Sequence, residues 1–230
     1  LDMAPNSFDD QYLKCPGMWM RLPMLNRFEF ALNSLYARVW AMADAKKEPE
    51  PLGSLQRREE AVALRAYTMA DTGLYREFND AVRKGGRSLE NYLEKFDYKV
   101  MHFLLTEALG DLRKNKSHLK CLDVYRGTRD RFTAKPGEII RFGQFTSTSL
   151  RKSVSEGFGT ATIFEVHTCH GAKIEDFSAK PEEKEVLIPP FETFKVINVS
   201  HQSHTTFIQL RSHSVHSNYN CALLKGDIPG

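Results

Sequence analysis

No stretch of the 230-residue chain approaches the ~18 consecutive apolar residues that a membrane-spanning helix requires, so a transmembrane helix within it is excluded. Blocks of like charge are also missing. The 32 Lys and Arg are interleaved with 29 Asp and Glu, leaving a formal charge of +3 and no charge-based indication of nucleic-acid binding. The chain lacks G-x-G-x-x-G after a strand, a P-loop, H-E-x-x-H and G-x-S-x-G. Rossmann oxidoreductases, P-loop nucleotidases, zincins and α/β-hydrolases therefore lose their usual support. The four cysteines contain no C-x-x-C pair, and the eight histidines form no tract at metal spacing. His167 and His170 flank Cys169 on what reads as a surface strand, and no metal is expected there.

With 41% hydrophobic and 27% charged residues, the chain can bury a sizeable core in one or at most two domains. Cys15, Cys121, Cys169 and Cys221 form an even, dispersed set, which reads as disulfides of an oxidising compartment in preference to buried free thiols. Two sequons, Asn115-Lys116-Ser117 and Asn198-Val199-Ser200, point weakly the same way. The opening Leu1-Asp2-Met3 has neither a basic nor an apolar leader region. If the protein is secreted, a signal peptide has been removed and any hydrophobic anchor tail lies beyond Gly230.

Residues 1–119 read as mainly helical and 120–230 as β-rich. In Asn26 to Lys46 the apolar Phe28, Leu32, Leu35, Val39 and Met42 recur at three- and four-residue steps, which predicts one core-facing helix. Pro49-Glu50-Pro51-Leu52-Gly53 breaks it. A second helix is expected through Glu59, Val62, Leu64, Ala66 and Tyr67, and a third from Leu74 through Phe78, Ala81 and Val82 to the Gly85-Gly86 stop. A short helix over Ser88 to Phe96 and a longer one carrying Val100 to Leu109, with Asp97 as N-cap, complete the half. Beyond Cys121, six strands are expected: Leu122–Arg126, Glu138–Phe145, Ala161–Thr168, Glu185–Ile188, Phe191–Val199 and Thr205–Arg211. Helices first and strands second make an α+β chain with a mixed sheet or two-sheet β core, since a doubly wound parallel sheet would alternate them.

Polar residues at strand ends are the candidate chemistry. Arg126 ends the strand of Val124-Tyr125-Arg126-Gly127, where a surface ion pair is the plainer reading. Phe145-Thr146-Ser147-Thr148-Ser149-Leu150 sets four hydroxyls between large apolar residues, a pattern that alone more often marks a strand end or a helix N-cap than a site. Pro181-Glu182-Glu183-Lys184-Glu185 runs into the buried strand Val186-Leu187-Ile188. On extended backbone, Glu183 and Glu185 would point to the same side and Lys184 to the other.

The order of these pieces resembles the Arg–Ser–Glu-x-Glu signature of the vertebrate ecto-mono-ADP-ribosyltransferases, the active-site class of the C2- and iota-like bacterial toxins. Ser7-Phe8-Asp9-Asp10-Gln11-Tyr12, Ala66-Tyr67-Thr68, His102 to Leu109, Arg141 to Phe145 and Asn218-Tyr219-Asn220-Cys221 extend the resemblance over nearly the whole chain. It implies one ADP-ribosyltransferase domain over residues 1–230, with an N-terminal helical part and a mixed or antiparallel two-sheet core. NAD, or NADP, would be a substrate and no metal would be needed. The acceptors would be arginine-bearing proteins, reached by a secreted or GPI-anchored glycoprotein.

The resemblance also implies roles. Glu185 would stabilise the oxocarbenium ion left when nicotinamide departs, and Ser147 would orient that carboxylate. Arg126 would brace the nucleotide phosphates through its fork of donors. Gly127 would let backbone approach the nicotinamide amide, and Phe158 would stack on the nicotinamide ring, unless it is an ordinary core Phe. Glu183 would hold the acceptor guanidinium and take its proton. The disulfides would pair Cys15 with Cys221 and Cys121 with Cys169. The same residues without Glu183 would serve an NAD glycohydrolase, and a silent binding protein of this fold is the third reading.

Overall fold

The computed structural model describes residues 1–46, 51–115, 118 and 120–225. Pro49 and Glu50 of the expected helix break, Lys116 and Ser117 of the first sequon, and Leu119 at the expected boundary lie outside the described residues. Six helices come first: α1 Met18–Leu32, α2 Ser34–Asp44, α3 Arg58–Thr68, α4 Leu74–Gly85, α5 Leu89–Lys95 and α6 Lys99–Arg113. The strands follow: β1 Leu122–Thr128, β2 Ile139–Ile140, β3 Thr146–Ser149, β4 Thr162–Thr168, β5 Ala172–Lys173, β6 Glu185–Ile188, β7 Glu192–Gln202 and β8 Thr205–Val215. Two short helices, α7 Lys152–Glu156 and α8 Ala222–Lys225, lie within and after the strand half.

The segment expected as one helix from Asn26 is two. Asn33 is extended, with φ −127° and ψ 91°, and its side chain caps α2 by accepting from the Tyr36 N–H. The bend re-aims the apolar series. Val39 is buried, but Phe28, Leu32 and Met42 are 62%, 57% and 45% exposed, so the predicted core face is not one face. α3, α4 and α5 stand where the periodicity places them, and Ser88 caps α5. Asp97 does not cap α6. Its first N–H groups, those of Lys99 and Val100, donate to the buried carboxylate of Glu29 on α1, at 2.8 and 2.9 Å. Burial raises that carboxyl to about 7, and one helix thereby supplies the cap of another.

The strands form one mixed sheet of eight in the order β2-β7-β8-β4-β1-β3-β6-β5, the mixed sheet of the two arrangements expected. Its two parts, β2-β7-β8-β4-β1 and β3-β6-β5, join through a single pair, Tyr125 with Ser149. β4 and β8 run parallel and the other neighbours antiparallel. Glu138–Phe145 is not one strand. Only Ile139–Ile140 pairs, because the buried Arg141 leaves the ladder to bind Asp9 Oδ2 at 2.7 Å and the carbonyls of Met3, Ala4 and His216. Asp9 also accepts from the Asn218 and Tyr219 N–H groups. The opening and closing segments are thus latched together through buried charges that are fully partnered.

Two covalent links reinforce this plan. Cys15–Cys221 ties the approach to α1 to the C-terminal segment, and Cys121–Cys169 crosses from the start of β1 to the end of β4. Two apolar clusters result, one among the helices and under Phe145 and Leu187, the other within the sheet around Val124, Phe164, Val186 and Phe194. The side chain of Asn198 in the second sequon is exposed on β7.

Candidate active site

A cleft of about 260 Å³ opens between the helical half and the strands β1, β3 and β6. Arg126, Gly127, Ser147, Phe158, Glu183 and Glu185 all line it, although they come from four separate stretches of chain. The sheet register brings three of them together. β3 and β6 are antiparallel with Ser149 opposite Glu185, so Ser147 lies two residues along β3 on the same face as Ser149. β1 lies on the other side of β3, and Arg126 Nη1 donates across to the Ser147 carbonyl at 3.0 Å.

Glu185 is 7% exposed. Burial raises its carboxyl to about 7; a hydrogen bond from Ser147 opposes the rise, Glu183 adds to it and the Arg126 guanidinium opposes it again. Glu183 is half-buried and its pKa is also raised, chiefly by burial. Burial lowers the pKa of Arg126, against the charge of Glu185 and the nearby Tyr67 and Tyr75. The cleft thus holds two carboxylates and a guanidinium where low dielectric strengthens every charge interaction.

The expected extended Glu183-Lys184-Glu185 segment is not extended. Pro181–Glu183 forms a 3-10 turn and Lys184 is left-handed, with φ 48° and ψ 48°. Proline at the first position sets up that turn, and Lys184 pairs with Glu175. Both glutamates face the cleft through this turn and not through strand alternation. Ser149 fixes its geometry: its Oγ donates to the Glu183 carbonyl at 2.6 Å and accepts from the Arg151 N–H at 3.0 Å. The two serines of the Ser-Thr-Ser run therefore divide the work, Ser147 facing the carboxylate and Ser149 holding the turn.

Gly127 is required by a neighbour within the chain. A Cβ there would lie 2.1 Å from the Ser155 carbonyl oxygen and 2.4 Å from that of Gly159, so the loop carrying Phe158 packs directly on its backbone. Phe158 is 57% exposed and no core residue. Gly159 has φ 138°, which only glycine adopts without strain.

Sequence reasoning missed the helical wall of the cleft. Tyr67 on α3 is buried, its Oη donating to the Phe145 carbonyl at 3.1 Å and lying 3.3 Å from Ser147 Oγ. Asn79 on α4 donates to the same Oη at 3.0 Å. Burial and the negative charge of Glu185 push the phenol up to about 12, so it remains a neutral donor. Tyr75 and Gln144 also line the cleft. Asn79, polar among Leu74, Phe78 and Val82 on the inner face of α4, was the available signal. Away from the cleft, Cys121, His167 and Cys169 place ligand-type atoms within 4.8 Å of one another, but both sulfurs belong to the disulfide.

The family model described as "NAD:arginine ADP-ribosyltransferase" matches residues 1–218. The erythroblast NAD(P)(+)–arginine ADP-ribosyltransferase of Gallus gallus is 46% identical over 98% of this chain and 76% of its own length. The GPI-linked NAD(P)(+)–arginine ADP-ribosyltransferase 1 of Mus musculus is 47% identical over 98% of this chain and 73% of its own. Among solved structures, the crystal structure of the eucaryotic mono-ADP-ribosyltransferase ART2.2 superposes with a TM-score of 0.82 at 36% identity, covering 96% of this chain and 97% of that one. A mutant of that protein has been solved in complex with NAD. By sequence and by fold, the chain belongs to the NAD:arginine ADP-ribosyltransferase family.

Proposed function

We propose that the chain acts as a single ADP-ribosyltransferase domain that cleaves the nicotinamide–ribose bond of NAD and transfers ADP-ribose to arginine side chains of proteins. The observation that carries the proposal is the buried Glu185 carboxylate, lining the same cleft as Ser147 and Arg126. When the glycosidic bond breaks, its electron pair neutralises the pyridinium ring and positive charge moves to the ribose. Nicotinamide leaves neutral and needs no general acid. What the reaction needs is a preorganised anion at the ribose, and Glu185 is positioned to supply it.

Arg126 suits the pyrophosphate, because its planar fork of donors matches phosphate oxygens. Ser147, backed by Tyr67 and Asn79, would hold the carboxylate in one orientation. Phe158, exposed at the rim, offers a ring to the nicotinamide, and the close packing of its loop on Gly127 fixes where that ring lies. Glu183 would bind the acceptor guanidinium and accept its proton as nitrogen attacks the ribose carbon. Its raised proton affinity favours that step.

The two disulfides and the GPI-linked relatives support work outside the cell, in secreted or lipid-anchored form. Incubation with NAD labelled in its ADP-ribose part, with agmatine or with buffer alone, tests the proposal. Labelled agmatine with release of nicotinamide is expected. Free ADP-ribose in equal yield whether or not agmatine is present would make the chain a glycohydrolase, and no turnover would refute both.

A further inference from the structure

α1 is apolar on both sides. Met18, Trp19, Leu22, Leu25 and Phe30 pack inward on the helical core, whereas its exposed positions are Met20, Pro23, Met24, Arg27, Phe28, Ala31 and Leu32. Met20, Met24, Phe28 and Leu32, each four residues from the last, are 86%, 68%, 62% and 57% exposed. A helix that is hydrophobic all round is normally covered all round. Here one side is bare. Among its exposed positions the one charge is the cation Arg27, Arg21 is half-buried beside Phe28 and Leu32, and the only acid of the helix, Glu29, is buried and spent on the cap of α6.

The position of the chain's C-terminal segment says what covers that face. Asn220 exchanges two hydrogen bonds with the backbone of Leu13, at 2.8 and 3.0 Å, Cys221 is bonded to Cys15, and the Ala222 N–H donates to Asp10. The described chain therefore ends, through the single turn of α8, beside Leu13, itself 60% exposed and five positions before α1 begins at Met18. A GPI anchor is attached at the C-terminal end of a mature chain. From this corner it would tether the protein with the bare face of α1 next to the bilayer.

We propose that the outer face of α1 is a membrane-docking surface, lying in the lipid interface of the leaflet to which the protein is anchored. Met20, Met24, Phe28 and Leu32 would enter the acyl boundary, and Arg27, with no acidic neighbour exposed on the helix, would meet phosphate headgroups. One helix face binds lipid weakly alone, but an anchor raises its effective concentration at the bilayer, where weak binding suffices. The proposal rests on the surface-anchored reading above and would fix the enzyme's orientation toward its acceptors.

The test uses the purified chain with a C-terminal histidine tag on phosphatidylcholine vesicles containing nickel-chelating lipid. The wild type is compared with the double variant Met24→Ser/Phe28→Glu. With Met20→Trp introduced into both proteins as a reporter on the exposed face, brominated phosphatidylcholine should quench the added fluorescence in the otherwise wild-type protein and leave the double variant unquenched. Untagged protein should partition onto the same vesicles at least about tenfold better than the variant. Equal transfer to agmatine by both proteins checks that the variant folds. Absence of quenching in the wild type overturns the proposal. A wild-type dimer in sedimentation, lost in the variant and without quenching, also overturns it by assigning the face to a second copy. Release of the full-length protein from cells by phosphatidylinositol-specific phospholipase C tests the anchoring separately, so the two readings can fail independently.

Discussion

Glu185→Gln should make the protein inactive and more stable, with the gain set by pH. In the folded chain the carboxyl binds its proton with a pKa of about 7 instead of the ordinary 4.5, mainly because it is buried. Between those values the folded state holds more protons than the unfolded one, so stability is full below about pH 4.5 and is lost as pH rises through 7. At about 1.4 kcal/mol per tenfold change in proton affinity, ionising Glu185 at pH 8 costs roughly 3 kcal/mol. Glutamine fills the same space, carries no charge and keeps a hydrogen-bond partner for Ser147. Thermal melts at pH 8 should therefore place the variant roughly 6–12 °C above the wild type, given about 2–4 °C per kcal/mol for a chain of this size. The difference should shrink to nothing near pH 4.5. Transfer and hydrolysis should both fall by about two to three orders of magnitude, the worth of one preorganised charge-stabilising group. A stability gain independent of pH, or a loss of stability at pH 8, would refute the argument from buried charge. Near-normal turnover would remove Glu185 from the chemistry.

The wild-type pH profile offers a second view of the same proton: kcat/KM for NAD should fall about tenfold from pH 8 to pH 6, and a flat profile would mean that the carboxylate is already ionised in the free enzyme. Glu183→Gln should keep NAD cleavage with water as acceptor while transfer to agmatine drops at least about a hundredfold; equal loss of both would place Glu183 in NAD activation. Gly127→Ala would set a Cβ 2.1 Å from the Ser155 carbonyl oxygen, so displacement of the Phe158 loop should raise KM for NAD at least about tenfold; unchanged kinetics would detach that loop from nucleotide binding. Glu29→Ala strands the Lys99 and Val100 N–H groups at the start of α6 and should cost about 2–4 kcal/mol in denaturant unfolding, whereas a loss under 1 kcal/mol would deny Glu29 its capping role.

How far the sequence was legible follows from how local each feature is. α3, α4 and α5 could be read because apolar spacing and flanking turn or cap residues such as Ser88 act within a few residues. The α1–α2 segment was misread because its periodicity runs on while a single residue, Asn33, turns the backbone. Glu138–Phe145 has the alternation of a strand, yet Arg141 finds Asp9 132 positions away, and no local pattern announces that partner. Tyr67 reads from the sequence as a residue of a core helix and not of the site for the same reason: its contact with Ser147 spans 80 residues. The chemistry-bearing residues and their chain order were present in the sequence itself, because residue type decides which groups can brace a phosphate, stabilise a cation or accept a proton. Their ionisation was not. Glu183 reaches the cleft through a 3-10 turn and a left-handed Lys184, and Glu185 is raised to about 7 by the layers packed over it. The proton affinity of a side chain depends on the water excluded and the charges assembled around it, and only the tertiary structure decides those.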